Sequence, residues 1–72
     1  MRLRVRVLAA GTRVRVRHPG TGERGTWRVV GRVVGSGLAD PAYDVRHERT
    51  GRPRVFRRSH LRLVRSAAGE RG

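Results

Sequence analysis

The stretch GTRVRVRHPGTGERGTWRVVGRVVG, residues 11–35, has a strand pattern on either side of a loop. In residues 12–17, valine alternates with arginine, which places the valines on one face of an extended chain and the arginines on the other. Residues 18–25 hold too many turn-forming residues to continue a strand, so the chain must reverse there. Residues 26–34 resume an apolar strand. The stretch therefore predicts a β-hairpin with one apolar face and one cationic face.

The second strand of this hairpin has apolar residues on both of its faces. Trp27, Val29 and Val33 fall on one side, and Val30 and Val34 fall on the other. The pattern fits either a strand that is buried on both sides or a strand that bends at its glycine and changes face. The second alternative suits a small barrel, in which long strands kink at a glycine.

Upstream of the hairpin, residues 1–8 read MRLRVRVL and alternate apolar side chains with arginine. This pattern is typical of an amphipathic strand. The alternative is a basic arm that becomes ordered only on binding, and the regular apolar face favours the strand. We expect the segment to be an extra edge strand or a basic arm of the same domain.

Downstream, residues 35–41 (GSGLADP) predict a loop, from which Leu38 is expected to point inward. Residues 42–48 (AYDVRHE) alternate and predict a strand with its tyrosine, valine and histidine on one face. A tight turn at residues 49–53 and a returning strand at residues 54–58 complete a second predicted hairpin.

The sequence after the second hairpin shows three short patterns. Residues 59–61 predict a single turn, residues 62–65 a last strand, and residues 66–72, which have no apolar anchor, a disordered tail. The chain thus holds five to six short strands and no helical periodicity. So many strands in so short a chain predict an all-β fold, a small closed or nearly closed barrel of antiparallel strands within residues 1–65.

Three parts of the sequence together resemble a known type of module. Residues 11–16 (GTRVRV), a glycine-containing loop and then residues 25–27 (GTW) resemble the opening of an SH3-like small barrel. KOW-type modules of ribosomal proteins and transcription factors open in this way, and this resemblance implies contact with RNA or a ribonucleoprotein. The early tryptophan, a tyrosine and a valine at positions 43 and 45, and the Leu-Arg at residues 61–62 are similar to Tudor and agenet-type modules.

The charge of the chain is strongly unbalanced. It has 18 basic residues, all arginine, and five acidic ones, for a formal net charge of +13. A GC-rich genome would explain the choice of arginine over lysine, but it would not explain the excess of bases over acids. Such an excess repels itself, and a polyanionic partner is the usual reason for it. The composition therefore points to nucleic acid as the partner.

Arginine suits phosphate because its planar, permanently charged guanidinium donates two parallel hydrogen bonds. If the strands pair as predicted, the arginines of the first hairpin and the later hairpin share one surface. We expect contacts with the nucleic-acid backbone, with little sequence specificity, from Arg13, Arg15, Arg17, Arg28, Arg54, Arg57 and Arg58, with Arg24 in the loop as an auxiliary contact. Trp27 or Tyr43 could also stack on an unpaired base, although the shortage of large residues favours the core for Trp27.

No residue pattern indicates catalysis, a metal site or a cofactor site. The three histidines are scattered and lack the spacing of metal ligands. Asp44 and Glu48 lie in an alternating strand among arginines, which makes them ion-pairing or rim residues. The chain has no cysteine, so a disulfide or a thiolate–metal site is excluded. We expect a protein that is not an enzyme.

A structural or assembly subunit is the alternative function. Small SH3-like barrels serve as connector and decoration parts of phage particles, where a basic surface meets packaged nucleic acid or the acidic face of a neighbouring protein. An edge strand such as residues 1–8 could pair with a partner chain. The sequence lacks the roughly 18 apolar residues of a membrane span and the apolar core of a signal peptide. The expected location is the cytoplasm, or the virion if a phage encodes the protein, with no membrane partner.

Overall fold

The computed structural model describes residues 7–64, which form five strands and one short helical turn. The strands are β1 (Arg13–Val16), β2 (Trp27–Arg32), β3 (Ala42–His47), β4 (Pro53–Arg57) and β5 (Leu61–Leu63), and a 3-10 turn (Arg58–His60) joins β4 to β5. All neighbouring strands are antiparallel, and they form a single sheet in the order β4-β3-β2-β1-β5. No helix within the described residues is long and apolar enough to cross a membrane. The prediction of an all-β fold of short antiparallel strands is confirmed.

One face of this sheet surrounds the hydrophobic core. Eight buried side chains form one cluster, which comprises Leu8, Val14, Val16, Trp27, Val29, Tyr43, Val45 and Leu61. Phe56 of β4 is partly buried and packs against the same cluster. Because β4 and β5 are the two edges of the sheet and both contribute to one cluster, the sheet curls around its own core. This curvature gives the domain the barrel-like form expected of a small all-β chain.

Trp27 lies at the centre of the core and is fully buried. Its ring meets those of His47 and Phe56 edge to face, with centroid distances of 4.8 and 5.6 Å. The indole N–H donates a hydrogen bond of 3.0 Å to the carbonyl of Glu23, which ties the loop before β2 to the core. Tyr43 is also fully buried. The expected core position of Trp27 is confirmed, and the alternative that Trp27 or Tyr43 stacks on an unpaired base is wrong, because both rings are buried.

Strand β2 is irregular at its glycine. Its register with β3 shifts between Val29 and Gly31, which is the mark of a β-bulge. The strand does not become buried on both faces, because Val30 is exposed and Val34, beyond the strand, is 93% exposed. Within the described residues only one face of the sheet is covered, so these two valines have no layer to pack against. Of the two sequence interpretations, burial on both faces is wrong; the structure shows an irregularity at Gly31, but Val30 and Val34 do not turn into the core.

The loop between β2 and β3 is fixed by polar groups. Leu38 is 61% exposed, so the prediction that it points inward is wrong. The hydroxyl of Ser36 accepts a hydrogen bond of 3.1 Å from the Ala42 N–H. The carboxylate of Asp40 accepts two bonds of 2.8 Å, from the N–H and the hydroxyl of Ser59. These side-chain bonds hold the loop in place together with Pro41, which is buried at the end of the loop.

Predictions for the two chain ends fall partly outside the described residues. For residues 1–8, only the last two are described, and neither belongs to a strand; Leu8 is buried in the core. The predicted disordered tail, residues 66–72, lies wholly outside the described range. The last strand, predicted at residues 62–65, is β5, which begins one residue earlier at the buried Leu61. Five strands, at the lower end of the predicted number, lie in the described range.

Candidate nucleic-acid interface

Arginines cover the outer face of the sheet because they alternate with core residues. In β1 the two valines are buried, and Arg13 and Arg15 are exposed. The same alternation exposes Arg28 in β2, Arg46 in β3 and Arg62 in β5. The outer face is therefore cationic across four neighbouring strands.

The strand register places these arginines directly beside one another. Arg28 is opposite both Arg13 on β1 and Arg46 on β3, and we call these three residues the inner row. Arg15 is opposite Arg62 on β5, and we call these two residues the edge pair. The Cβ atoms of directly opposite residues are about 4.5–5.5 Å apart, and like charges at such positions destabilise a sheet. A nearby counter-charge would offset the repulsion within each group.

A carboxylate supplies that charge to the inner row. Glu48, just beyond β3, accepts hydrogen bonds from Nε and Nη2 of Arg13 at 2.8 and 3.2 Å, and from Nη2 of Arg28 at 3.2 Å. The contact with Arg13 is a two-bond fork, which is the strong geometry for this kind of ion pair. The hydrogen bond from Arg13 lowers the pKa of Glu48 below its ordinary value, and Arg28 acts in the same direction.

The edge pair has no such carboxylate among residues 7–64. Arg15 and Arg62 line an open cleft of about 340 Å³, and Arg17 and Arg24 also line it. None of these four arginine side chains forms an ion pair or a hydrogen bond with another described residue. Four arginines therefore line the cleft, and their side-chain hydrogen-bond donors are not engaged by any residue of the described range.

Glu23 also lines this cleft, but its polar atoms are engaged with the loop between β1 and β2. One carboxylate oxygen accepts a bond of 2.8 Å from the Gly20 N–H, and the other lies 3.5 Å from Nη1 of Arg54. Its backbone carbonyl accepts the indole N–H of Trp27. Glu23 thus braces the loop and shares its charge with an arginine outside the cleft.

His47 holds the other end of this loop. Its Nδ1 accepts hydrogen bonds from the N–H groups of Arg49 and Thr50, at 3.1 and 3.3 Å. Nε2 therefore carries the ring proton and donates it to the carbonyl of Arg24 at 2.9 Å. The next residue, Gly25, has a φ of +100°, and a Cβ there would lie 2.9 Å from His47 Nε2. Both the backbone conformation and the close approach require glycine, and together they fix the position of Arg24.

The other acidic side chains are placed as loop and rim residues. Asp40 binds Ser59, and the bond from the Ser59 hydroxyl, followed by that from its N–H, lowers the pKa of Asp40. Asp44 is exposed on β3 and forms no ion pair with a described residue, which makes it a rim residue. Among residues 7–64, no three His, Cys, Asp or Glu side chains come together as a possible metal site.

The arginines predicted to contact nucleic acid fall into two groups in the structure. Three of them, Arg15, Arg17 and Arg24, line the cleft. The others bind protein groups: Arg13 and Arg28 bind Glu48, Arg54 pairs with Glu23, Arg57 donates to the Asp40 carbonyl at 3.1 Å, and Arg58 donates to the Leu61 carbonyl at 2.8 Å. The predicted surface is therefore divided between a cleft with available donors and a braced region.

Sequence reasoning missed Arg62, which forms half of the edge pair. The alternation in Leu61–Leu63 indicates that Arg62 lies on the outer face of the last strand. Its partner is set by the pairing of β5 with β1, which joins residues that are far apart in the chain. The sequence therefore indicates that Arg62 is exposed, but it does not indicate that Arg62 lies opposite Arg15.

Comparison with protein-family models, with curated proteins and with solved structures gives no match. The resemblance to KOW and Tudor modules therefore stays a prediction. The functional argument depends on the arrangement of charge described above.

Proposed function

We propose that this protein is a non-enzymatic module that binds the phosphate backbone of nucleic acid through the cleft beside the edge pair. The observation that carries this proposal is the position of Arg15 directly opposite Arg62, without a carboxylate partner among the described residues. Two like charges in this register destabilise the free protein. A phosphate bound between them would replace that repulsion with charge-assisted hydrogen bonds.

The form of the cleft suits a chain molecule. Small-molecule sites are usually enclosed and mostly apolar, whereas this cleft is open and its walls carry four arginines. A guanidinium offers a planar fork of donors that matches two oxygens of one phosphate. An extended polyanion can therefore lie along the cleft and meet several arginines in succession.

The proposal also sets the expected specificity. Contacts with phosphate position a nucleic acid but do not read its bases. Stacking on unpaired bases needs exposed aromatic rings, and Trp27 and Tyr43 are fully buried. We therefore expect binding that depends little on sequence and strongly on salt.

Two matched double variants test the proposal. Arg15→Ser with Arg62→Ser removes the edge pair, and Arg13→Ser with Arg28→Ser removes an ion-paired cross-strand pair with the same change in net charge. At about 1 kcal/mol per exposed contact, loss of the edge pair should weaken binding to labelled oligonucleotides about 30-fold. The second variant should lose much less, because Glu48 already engages both guanidinium groups. Equal losses would mean that total charge, and not this cleft, determines binding.

Stability supplies a second readout for the same variants. Removing the like-charge edge pair should leave the free energy of unfolding unchanged or raise it by up to about 1 kcal/mol. A variant that binds more weakly and is at least as stable as the wild type has lost a binding surface, and not its fold. An edge-pair variant that is clearly destabilised would contradict the view that Arg15 and Arg62 repel each other.

A further inference from the structure

Glu48 occupies the inner row in the way that a phosphate would. Its Oε2 lies 2.8 Å from Nε of Arg13 and 3.2 Å from Nη2 of Arg28, while Oε1 lies 3.2 Å from Nη2 of Arg13. A carboxylate and a phosphate both present two acceptor oxygens to the guanidinium fork. The donors that hold Glu48 are therefore the donors that a phosphate would use.

The inner row follows the edge pair along β1. Arg13 and Arg15 are two residues apart on the outer face of this strand. At a rise of about 3.3 Å per residue, their positions are about 6.6 Å apart. Consecutive phosphates of an extended nucleic-acid strand have a comparable spacing. If one phosphate of a nucleic-acid strand lies at the edge pair, the next phosphate of that strand lies at the inner row.

We propose that the inner row is a second phosphate site, which Glu48 holds closed in the free protein. This inference rests on the proposed function, because a nucleic-acid strand at the edge pair is what competes with Glu48 for Arg13 and Arg28. By occupying these donors, Glu48 limits the number of phosphates that the protein neutralises. It therefore sets both the affinity and the salt dependence of binding.

The ion pairs of Glu48 are accessible and contribute little to the fold, so a variant can open the row without unfolding the protein. The Arg13 and Arg28 side chains are 44% and 57% exposed, and that of Glu48 is 25% exposed. Exposed ion pairs typically contribute about 0–1 kcal/mol to stability, so removing the carboxylate should disturb the fold little. Arg46, the third member of the row, has no ion pair with a described residue and adds a further charge.

The test compares Glu48→Gln with Asp44→Asn. Both variants raise the net charge by one at an exposed position on or next to β3, but Asp44 has no ion pair with a described residue. Each is titrated against a labelled single-stranded oligonucleotide at several salt concentrations. Glu48→Gln should bind roughly three- to tenfold more tightly at low salt, with a salt slope steeper by about 0.7 for one additional phosphate. Asp44→Asn should show a smaller gain and the wild-type slope.

Several outcomes would overturn the inference. One is a wild-type slope for Glu48→Gln, and another is the same change in both variants. If Glu48→Gln does not fold, the wild-type protein is compared with Arg13→Ser plus Arg28→Ser. If Glu48 holds the row closed, the wild type and this double variant have the same salt slope. A slope that is shallower by about 1.4 in the double variant would show that both arginines already contact phosphate in the wild type. A wild-type protein that binds no oligonucleotide at low salt contradicts the proposed function itself, which distinguishes the two failures.

Discussion

Replacing Gly25 with alanine tests how the loop that presents Arg24 is fixed. The φ of Gly25 is +100°, a region that L-residues with a side chain rarely adopt. The new Cβ would also lie 2.9 Å from Nε2 of His47. The ring is held on both sides by hydrogen bonds and rests against Trp27, so it has to move and lose its bond to the Arg24 carbonyl.

The expected loss has three parts. The backbone conformation costs about 1 kcal/mol, the lost hydrogen bond about 1 kcal/mol, and the disturbed edge-to-face contact of His47 with Trp27 about 0.5–1 kcal/mol. The free energy of unfolding should therefore fall by about 2.5–3 kcal/mol, out of the roughly 4–11 kcal/mol that is typical of a domain of this size. Urea denaturation followed by the fluorescence of Trp27, the single tryptophan, measures it.

Gly37→Ala is the matched control. Gly37 also has a positive φ, of +75°, but nothing lies within 4 Å of the position of its Cβ. This variant should show the backbone cost alone, about 1 kcal/mol. Equal losses for Gly25→Ala and Gly37→Ala would refute the argument that the close approach of His47 fixes this loop.

Three further predictions concern stability. Tyr43→Phe removes the hydroxyl that accepts a hydrogen bond from the Leu8 N–H at 3.1 Å. The free energy of unfolding, measured by urea denaturation, should fall by about 1 kcal/mol. No change would mean that this bond does not hold the segment before β1. Leu38→Ser should change stability by less than about 0.5 kcal/mol, since the side chain is exposed, and a larger loss would indicate an inward position. The folded-state pKa values of Glu48 and Asp40 lie below their unfolded values, so their stabilisation is present above the unfolded pKa and is lost as the pH falls through the folded one. Glu48→Gln and Asp40→Asn should each flatten the acid side of the curve of stability against pH, and an unchanged curve would contradict this reasoning.

The strands could be predicted from the sequence because burial on one face leaves a period of two. The alternation at Arg13–Val16 and at Ala42–His47 appears directly as exposed arginines and buried apolar residues. The exposure of Val34 and Leu38 could not be predicted in this way. Whether an apolar side chain is buried depends on whether another part of the fold covers it, and the local sequence does not hold that information.

The composition of the candidate site was predictable, but its division into two parts was not. Alternation places Arg13, Arg15 and Arg62 on the outer face. Their electrostatic surroundings depend on contacts between distant residues, such as that of Glu48 with Arg13, which are 35 positions apart in the chain. A shift of one residue in register would send each arginine to the other face. Register, set by packing of the whole sheet, therefore decides which arginines are neutralised and which remain available.

The most direct test of the central claim is a salt titration of the wild-type protein. Fluorescence anisotropy would follow binding to labelled single-stranded DNA, RNA and duplex DNA of random sequence at several salt concentrations. Four arginines at the cleft predict that log K falls linearly with log salt, with a slope of about −3 and little dependence on sequence. Absence of binding at low salt, or binding that salt does not weaken, would contradict the account. In that case the arginines of the cleft would serve an acidic protein partner instead.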